Sequence, residues 1–113
     1  MTKNEVIEVG REVIVMLRLK FKPGAIAQVL NEIVSAAMLT RKEVGNIEFQ
    51  VYRAKDDVDR LVLFERWADQ AALDHHWQQD TKRVLVLFEE NLVRPLSQVE
   101  DVTHLSDVLQ AVP

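Results

Sequence analysis

The chain has 113 residues, a formal net charge of −4 and no cysteine. This length suits one domain, and the acidic balance argues against nucleic acid as a partner, because phosphate contacts need a basic surface. Without cysteine the chain has no disulfide, thiol nucleophile or thiolate metal site, which is compatible with the cytoplasm. We also expect no membrane partner, because the longest apolar runs, 13–17 and 84–88, are too short to span a bilayer.

Alternating apolar residues predict a first strand over residues 12–22. One face of this strand carries Val13, Val15, Leu17, Leu19 and Phe21. The other face is also apolar at Ile14 and Met16, so we expect it to be covered by something other than the helices of the same chain.

After a break at Pro23-Gly24, apolar residues recur at spacings of three and four and predict a helix over residues 25–39. Its predicted core stripe consists of Ile26, Val29, Leu30, Ile33 and Ala37. Residues 47–54 and 60–67 then have strand character on either side of the polar turn 55–59, which predicts a hairpin.

The second half of the chain predicts two further helices and a last strand. Asp69 is a good N-cap for a short helix that ends near Gln78, and Asp80 is a good N-cap for the next helix. The stripe of that later helix would be Val84, Leu85, Phe88 and Leu92. After Pro95 we expect an extended stretch to about Val102, then a tail with one helical turn near Ser106.

The resulting order, β-α-β-β-α-β, is that of an α+β, ferredoxin-like fold with an antiparallel sheet. We therefore divide the chain into an N-terminal extension, residues 1–11, a ferredoxin-fold domain, residues 12–102, and a C-terminal tail, residues 103–113.

Three short signatures occur in fixed order in this chain: Glu43-Val44-Gly45-Asn46 followed by Phe49 and Tyr52, Leu63-Phe64-Glu65-Arg66-Trp67, and Ala72-Leu73-Asp74-His75-His76. Together they resemble the antibiotic biosynthesis monooxygenase (ABM) family over roughly residues 13–96. The family consists of small dimeric α/β-barrel proteins, some of which oxidise quinols or other aromatics without a cofactor. The resemblance implies a homodimer whose two sheets pack face to face, which would cover Ile14 and Met16.

His76 is the leading candidate for a catalytic base, because an imidazole exchanges protons near neutral pH. It shares a predicted helix face with Leu73, and the competing interpretation is a half-buried histidine bonded to backbone. Asn46 could hold a substrate oxygen, or serve only in ordinary turn chemistry. Tyr52 lies six residues further on, so in an unbulged strand it shares a face with Asn46; it could donate to a quinol oxygen or be a simple strand aromatic.

Three further residues are candidates for contact with substrate: Glu65, Trp67 and Trp77. Glu65 lies among apolar neighbours, so we expect it to be paired, with an arginine of the same chain or of a dimer partner as the favoured partner. Trp67 offers a wall for an aromatic ring or is simply core, and Trp77 would begin a linker and could form a lid. His75 should be exposed, and we expect no metal site.

Departures from the family pattern narrow the function. The segment Gln79-Asp80-Thr81 lacks the second histidine that many members have. Haem-degrading relatives have an asparagine in the first strand, an aromatic residue in the helix and a later histidine. At those places this chain has Met16 and Leu17, His76, and Val86, so the resemblance does not imply haem degradation. We therefore predict a cofactor-independent monooxygenase acting on a small hydroxylated aromatic or quinol with dioxygen. The alternatives are a non-catalytic ligand-binding or stress-associated barrel protein, and an isomerase or decarboxylase of a small carbonyl compound.

Overall fold

The computed structural model describes residues 11–79, 89–94 and 102–109. Its elements are β1 (Val13–Lys20), α1 (Ala25–Thr40), β2 (Asn46–Arg53), β3 (Arg60–Trp67), α2 (Gln70–Gln79) and β4 (Val102–Leu105). The first five agree with the predicted elements to within two residues at each end. Among the described residues, neither helix combines the length and the apolar character that crossing a membrane requires.

The four strands form one open antiparallel sheet in the order β2-β3-β1-β4. β2 and β3 are a hairpin, and β1 lies beside β3, so the chain crosses over through α1 between β1 and β2. This is the predicted α+β, ferredoxin-like arrangement, and the prediction is confirmed.

Strand register divides the sheet into a helix-covered face and an open face. Val15 lies opposite Glu65 and Leu17 opposite Leu63, so the odd-numbered residues of β1 and β3 share the helix-covered face. These positions hold most of the hydrophobic core of the sheet: Val15, Leu17, Leu19, Leu61, Leu63 and Trp67, together with Phe49 of β2. Burial of this one continuous face is the main stabilising term of the fold.

Helix α1 packs its predicted stripe onto this face, with one correction. Ile26, Val29, Ile33 and Ala37 are buried, whereas Leu30 is 40% exposed. The residues Ile26, Val29, Ile33 and Ala37 already follow the three- and four-residue repeat that one helix face allows, so Leu30 falls at the edge of that face.

The predicted helix capped by Asp80 lies mostly outside the described residues. Residues 89–91 are helical, and Leu92 is buried and bridges Phe21. The predicted last strand, which was to end near Val102, needs correction, because β4 begins there and pairs with Ile14 to Leu17 of β1. Thr103–Leu105 therefore lie in the sheet and not in a tail, and the chain then turns at residues 108–109, where the Leu109 N–H donates to Asp107 Oδ1.

The open face is only partly apolar. Ile14 is 6% exposed within the single chain, between Arg66 of β3 and Leu105 of β4, so its burial does not itself require a second copy. Met16 and its cross-strand neighbour Phe64 are half-buried. Leu105, also on this face, is 37% exposed, so Met16, Phe64 and Leu105 are among the apolar side chains that an additional cover would bury.

Candidate active site around His76

The turn between α1 and β2 places a carboxylate at one end of the sheet. The Asn46 N–H donates to the Glu43 carbonyl at 3.1 Å, which closes a four-residue turn. Gly45 has φ +86°, the left-handed conformation that the third position of such a turn takes in type II geometry. The sequence Glu-Val-Gly-Asn thus folds locally and leaves Glu43 at the first position.

Gly45 also lets helix α2 approach this turn. The Ala68 N–H donates to the Gly45 carbonyl at 2.8 Å, and a Cβ on Gly45 would lie 2.5 Å from the Cβ of Ala72. Real Cβ atoms do not come this close, so this packing needs a residue without a side chain. The turn that holds Glu43 and the helix that holds His76 are therefore in direct contact.

Helix α2 begins as the sequence predicts and aims His76 at this turn. The Asp69 carboxylate accepts a hydrogen bond from the Ala72 N–H at 2.8 Å, the contact of an N-cap residue. Leu73 is buried, and His76, one turn later on the same face, has 14% of its side chain exposed. His75 is exposed, as predicted.

The His76 imidazole lies between two carboxyl groups. Its Nδ1 is 2.7 Å from Glu43 Oε2, a short hydrogen bond between residues 33 positions apart. Its Nε2 is 3.9 Å from Glu65 Oε1, which is beyond hydrogen-bond distance. A hydroxyl oxygen placed between Nε2 and Oε1 would reach both groups, because hydrogen bonds of 2.7–2.9 Å span such a gap with an angle near 90° at the oxygen.

Glu65 is buried within the helix-covered face, and a carboxyl there must find partners. Trp67 supplies one, because its indole Nε1–H donates to Glu65 Oε1 at 3.1 Å. Burial raises the pKa of Glu65 above its ordinary value of 4.5, and the Glu43 carboxylate adds to this rise. The hydrogen bond from Trp67 and the charge of His76 lower the pKa, but they do not cancel the effect of burial. Within the single chain the expected arginine is not found beside Glu65 among the described residues; its partners there are a tryptophan and a histidine.

Three aromatic rings enclose the imidazole. The Trp67 ring lies 4.8 Å from the His76 ring at an angle of 32°, and Phe49 and Trp77 present ring edges at 6.1 Å and 6.2 Å. Because Trp67 packs on the imidazole and is fully buried, that part of the indole face is not open to a substrate ring. Trp77 is 36% exposed and lies within α2, so it does not begin a linker as predicted.

A β-bulge sets the orientation of Asn46. Asn46 pairs with Trp67 and Glu48 with Arg66, so Ile47 is an extra residue between two consecutive pairs. The Asn46 amide donates to the Glu48 and Arg66 carbonyls at 3.2 Å and 3.5 Å and thereby holds the bulge together. These contacts favour the interpretation of Asn46 as a turn and bulge residue.

Tyr52 does not join the site. It lies opposite Val62 on the open face, whereas Glu65 and Trp67 lie on the helix-covered face. The predicted common face of Asn46 and Tyr52 is therefore wrong, because the bulge at Ile47 breaks the even spacing on which it depended, and Tyr52 cannot meet His76.

Glu43 was not among the predicted site residues. It lies in a turn 33 residues from His76, and sequence spacing gives no distance across such a separation. The sequence feature that points to Glu43 is its position directly before Val44-Gly45-Asn46, because this turn fixes where the Glu43 backbone lies. Within the described residues no group of three or more histidine, aspartate or glutamate side chains is arranged to hold a metal ion.

The fold and the sequence agree with one protein family. A model of the family described as "Antibiotic biosynthesis monooxygenase" matches residues 12–84, which include Glu43, Glu65 and His76. The chain belongs to this family.

Individual relatives are distant in sequence and close in structure. The Bacillus subtilis (strain 168) protein named "Putative monooxygenase YcnE" is 27% identical over 64 residues, which cover 57% of this chain and 67% of that protein. The structure of Rv0793 from Mycobacterium tuberculosis superposes with a TM-score of 0.73 at 28% identity, covering 86% of this chain and 95% of that one. A conserved protein from Methanosarcina mazei Go1 superposes with a TM-score of 0.76 at 24% identity, covering 90% and 98%.

Gly45→Ala should destabilise the protein more than Gly24→Ala. Both glycines have positive φ, but a Cβ at Gly24 meets no atom within 4 Å, so only Gly45→Ala adds a clash to the backbone strain. We expect about 1–2 kcal/mol for Gly24→Ala and at least about 1 kcal/mol more for Gly45→Ala, measured by urea denaturation. Equal losses would show that the turn and α2 separate freely.

Glu65→Gln should change how stability depends on pH. The raised pKa of Glu65 means that folding favours the protonated carboxyl, so this contribution to stability is complete below pH 4.5 and is lost as the pH rises through the folded-state pKa. Glutamine can accept the Trp67 N–H but never ionises. We therefore expect the variant to gain on the wild type as the pH rises, by about 1.4 kcal/mol for each unit by which the pKa is raised.

The control for this measurement is Glu48→Gln, which removes a carboxylate from the open face and reports the effect of net charge alone. Urea denaturation between pH 4 and pH 8 provides the data. A difference between wild type and Glu65→Gln that stays constant over this range contradicts the prediction.

Proposed function

We propose that this protein is a cofactor-independent monooxygenase that oxidises a small hydroxylated aromatic or quinol. The observation that carries the proposal is the orientation of His76, whose Nδ1 is bonded to the Glu43 carboxylate while Nε2 faces Glu65. A carboxylate on Nδ1–H holds the imidazole in the tautomer that has its lone pair on Nε2. Family membership supports the reaction class, and the geometry supports the choice of base.

In the proposed reaction, His76 Nε2 accepts the proton of a substrate hydroxyl, and the imidazolium that forms is stabilised by Glu43. The phenolate has a more electron-rich ring than the phenol and transfers electrons to dioxygen, which forms a carbon–oxygen bond and a ring hydroperoxide. Loss of water from the hydroperoxide leaves one oxygen atom on the ring. For a hydroquinone the balance is quinol plus dioxygen to hydroxyquinone plus water, so dioxygen is the only oxidant required.

Two other residues have positions that suit this reaction. Glu65, when protonated, can donate to the oxygen that His76 deprotonates or to a neighbouring carbonyl oxygen. Trp77 is the partly exposed aromatic at the edge of the cluster, so we assign to it the contact with the incoming ring. Asn46 and Tyr52 have no part in this scheme, because the Asn46 amide holds the bulge and Tyr52 is on the open face.

A second candidate function is isomerisation of a small hydroxycarbonyl compound. The position of Glu65 favours this candidate, because a carboxyl group 3.9 Å from a histidine base is an acid–base pair suited to moving a proton between carbon and oxygen. Burial raises the pKa of Glu65, which favours its proton-donating form. Such a reaction consumes no dioxygen. It would instead exchange the hydrogen next to the carbonyl with deuterium from the solvent.

His76→Ala should lower turnover by roughly 10²–10⁴-fold, the range for loss of a general base. His75→Ala is the matched control, since it changes the adjacent exposed imidazole and should have little effect. Oxygen uptake with a panel of hydroquinones, no cofactor added and autoxidation subtracted, measures the rate. ¹⁸O₂ labelling then checks that one atom enters the product.

Glu43→Gln separates the positioning of His76 from its chemistry. We expect at least about tenfold lower turnover with a changed pH profile, because glutamine cannot stabilise the imidazolium as a carboxylate does.

Equal and small effects of His76→Ala and His75→Ala would favour a protein that only binds ligands.

We further propose that the protein is a homodimer whose open faces pack together, as the family resemblance implies. Met16→Glu should shift the association equilibrium toward monomer by at least about a hundredfold, because an unpaired buried carboxylate costs several kcal/mol. Val58→Glu, at an exposed position in the hairpin turn, is the control. Sedimentation equilibrium at micromolar concentration provides the measurement, and a wild-type protein that sediments only as monomer contradicts the proposal.

A further inference from the structure

A concave feature lies toward the other end of the sheet. It is a groove of about 400 Å³ between α1 and the edge strand β2, with Val51 and Leu61 of the sheet among its lining residues. Leu61 and Trp67 are six residues apart on β3, so the Leu61 end of the groove lies roughly 20 Å from the Trp67 end of the sheet, where His76 packs. None of the residues that line the groove belongs to the cluster around His76.

One wall of the groove is an apolar stripe that the core does not use. Leu30, Val34 and Met38 are spaced four residues apart on α1 and are 40%, 53% and 52% exposed. A helix in contact with water on this side would normally carry polar residues there. An exposed apolar stripe beside a concave surface is typical of a binding site.

Two of the residues that line the groove, Arg41 and Arg53, carry positive charge. Arg41 is held by neutral acceptors, with Nε 2.8 Å from the Phe49 carbonyl and a terminal nitrogen 2.9 Å from Gln50 Oε1. Arg53 lies opposite Leu61, so its side chain starts on the helix-covered side of the sheet. Among the described residues, no carboxylate forms an ion pair with Arg41 or Arg53. Although the chain has a net charge of −4, these two arginines form a positively charged patch beside the groove.

We propose that this groove binds an amphipathic carboxylate, that is, one carboxylate attached to an aliphatic chain or an aromatic ring. The volume falls within the range of small-molecule sites, about 300–1,000 Å³, and an apolar lining with a few convergent polar groups is their usual composition. The apolar part contacts the Leu30–Val34–Met38 stripe. The carboxylate binds the guanidinium of Arg53, whose planar donors match its two oxygens. Arg41, held on Phe49 and Gln50, adds positive charge beside it.

Decanoate is the probe, and decan-1-ol is its matched neutral control. We expect saturable one-to-one binding of decanoate by calorimetry, with amide chemical-shift changes confined to the groove, and at least about tenfold weaker binding of decanol. Arg53→Gln should weaken decanoate binding at least about tenfold and leave decanol binding unchanged. Arg18→Gln, an exposed arginine on the open face, should change neither affinity.

Two further variants make the test decisive. Val34→Glu, at an exposed position, should abolish binding of both probes, whereas His76→Ala should leave decanoate binding intact, which separates this proposal from the proposed function. Equal affinities for decanoate and decanol, no effect of Arg53→Gln, or loss of decanoate binding in His76→Ala would each overturn the proposal. It would also be overturned if Val34→Glu dissociated a dimer without affecting decanoate, because the groove would then be an interface between copies.

Discussion

The close contact between Gly45 and Ala72 is the constraint on which the candidate site depends. A turn that begins with an acidic residue and a helix whose last turn carries a histidine come within van der Waals distance only because one position lacks a side chain. The Gly45 carbonyl then accepts the Ala68 N–H and fixes where the chain enters α2. The 2.7 Å contact between Glu43 and His76 is a consequence of this packing, because neither residue is brought near the other by local sequence.

The resulting cluster is expensive for a protein of this size. Two carboxyl groups and an imidazole lie beside a fully buried tryptophan, and desolvation of such groups costs several kcal/mol unless each finds a partner. The partners are few and specific: an indole N–H for Glu65 and the imidazole for Glu43. A core that served stability alone would place an apolar residue at position 65, as β3 does at Leu61 and Leu63. The desolvation free energy is understandable if the cluster transfers protons, because groups with shifted pKa values are concentrated at functional sites.

The fold could be predicted from the sequence because its signals are local and repeated. Alternation in β1 and β3, the apolar repeat of α1 and the cap at Asp69 each specify one element, and the order of elements then specifies the topology. The helical phase of Leu73 and His76 likewise follows from spacing alone. The partner of His76 could not be predicted, since Glu43 is 33 residues away. The side of the sheet that Tyr52 occupies depends on one extra residue, Ile47, and an insertion of this kind leaves composition and alternation almost unchanged.

The bulge at Ile47 also affects the colloidal behaviour of the protein. In the described sheet β2 is an edge strand, and a regular edge of eight residues is a template for pairing with the sheet of another molecule. The bulge interrupts the ladder near one end of this edge and increases its local twist. Arg41 occupies the Phe49 carbonyl and adds a positive charge beside the strand. The bulge and Arg41 thus also protect the edge against aggregation, so substitutions that regularise β2 would tend to lower solubility before they affected folding.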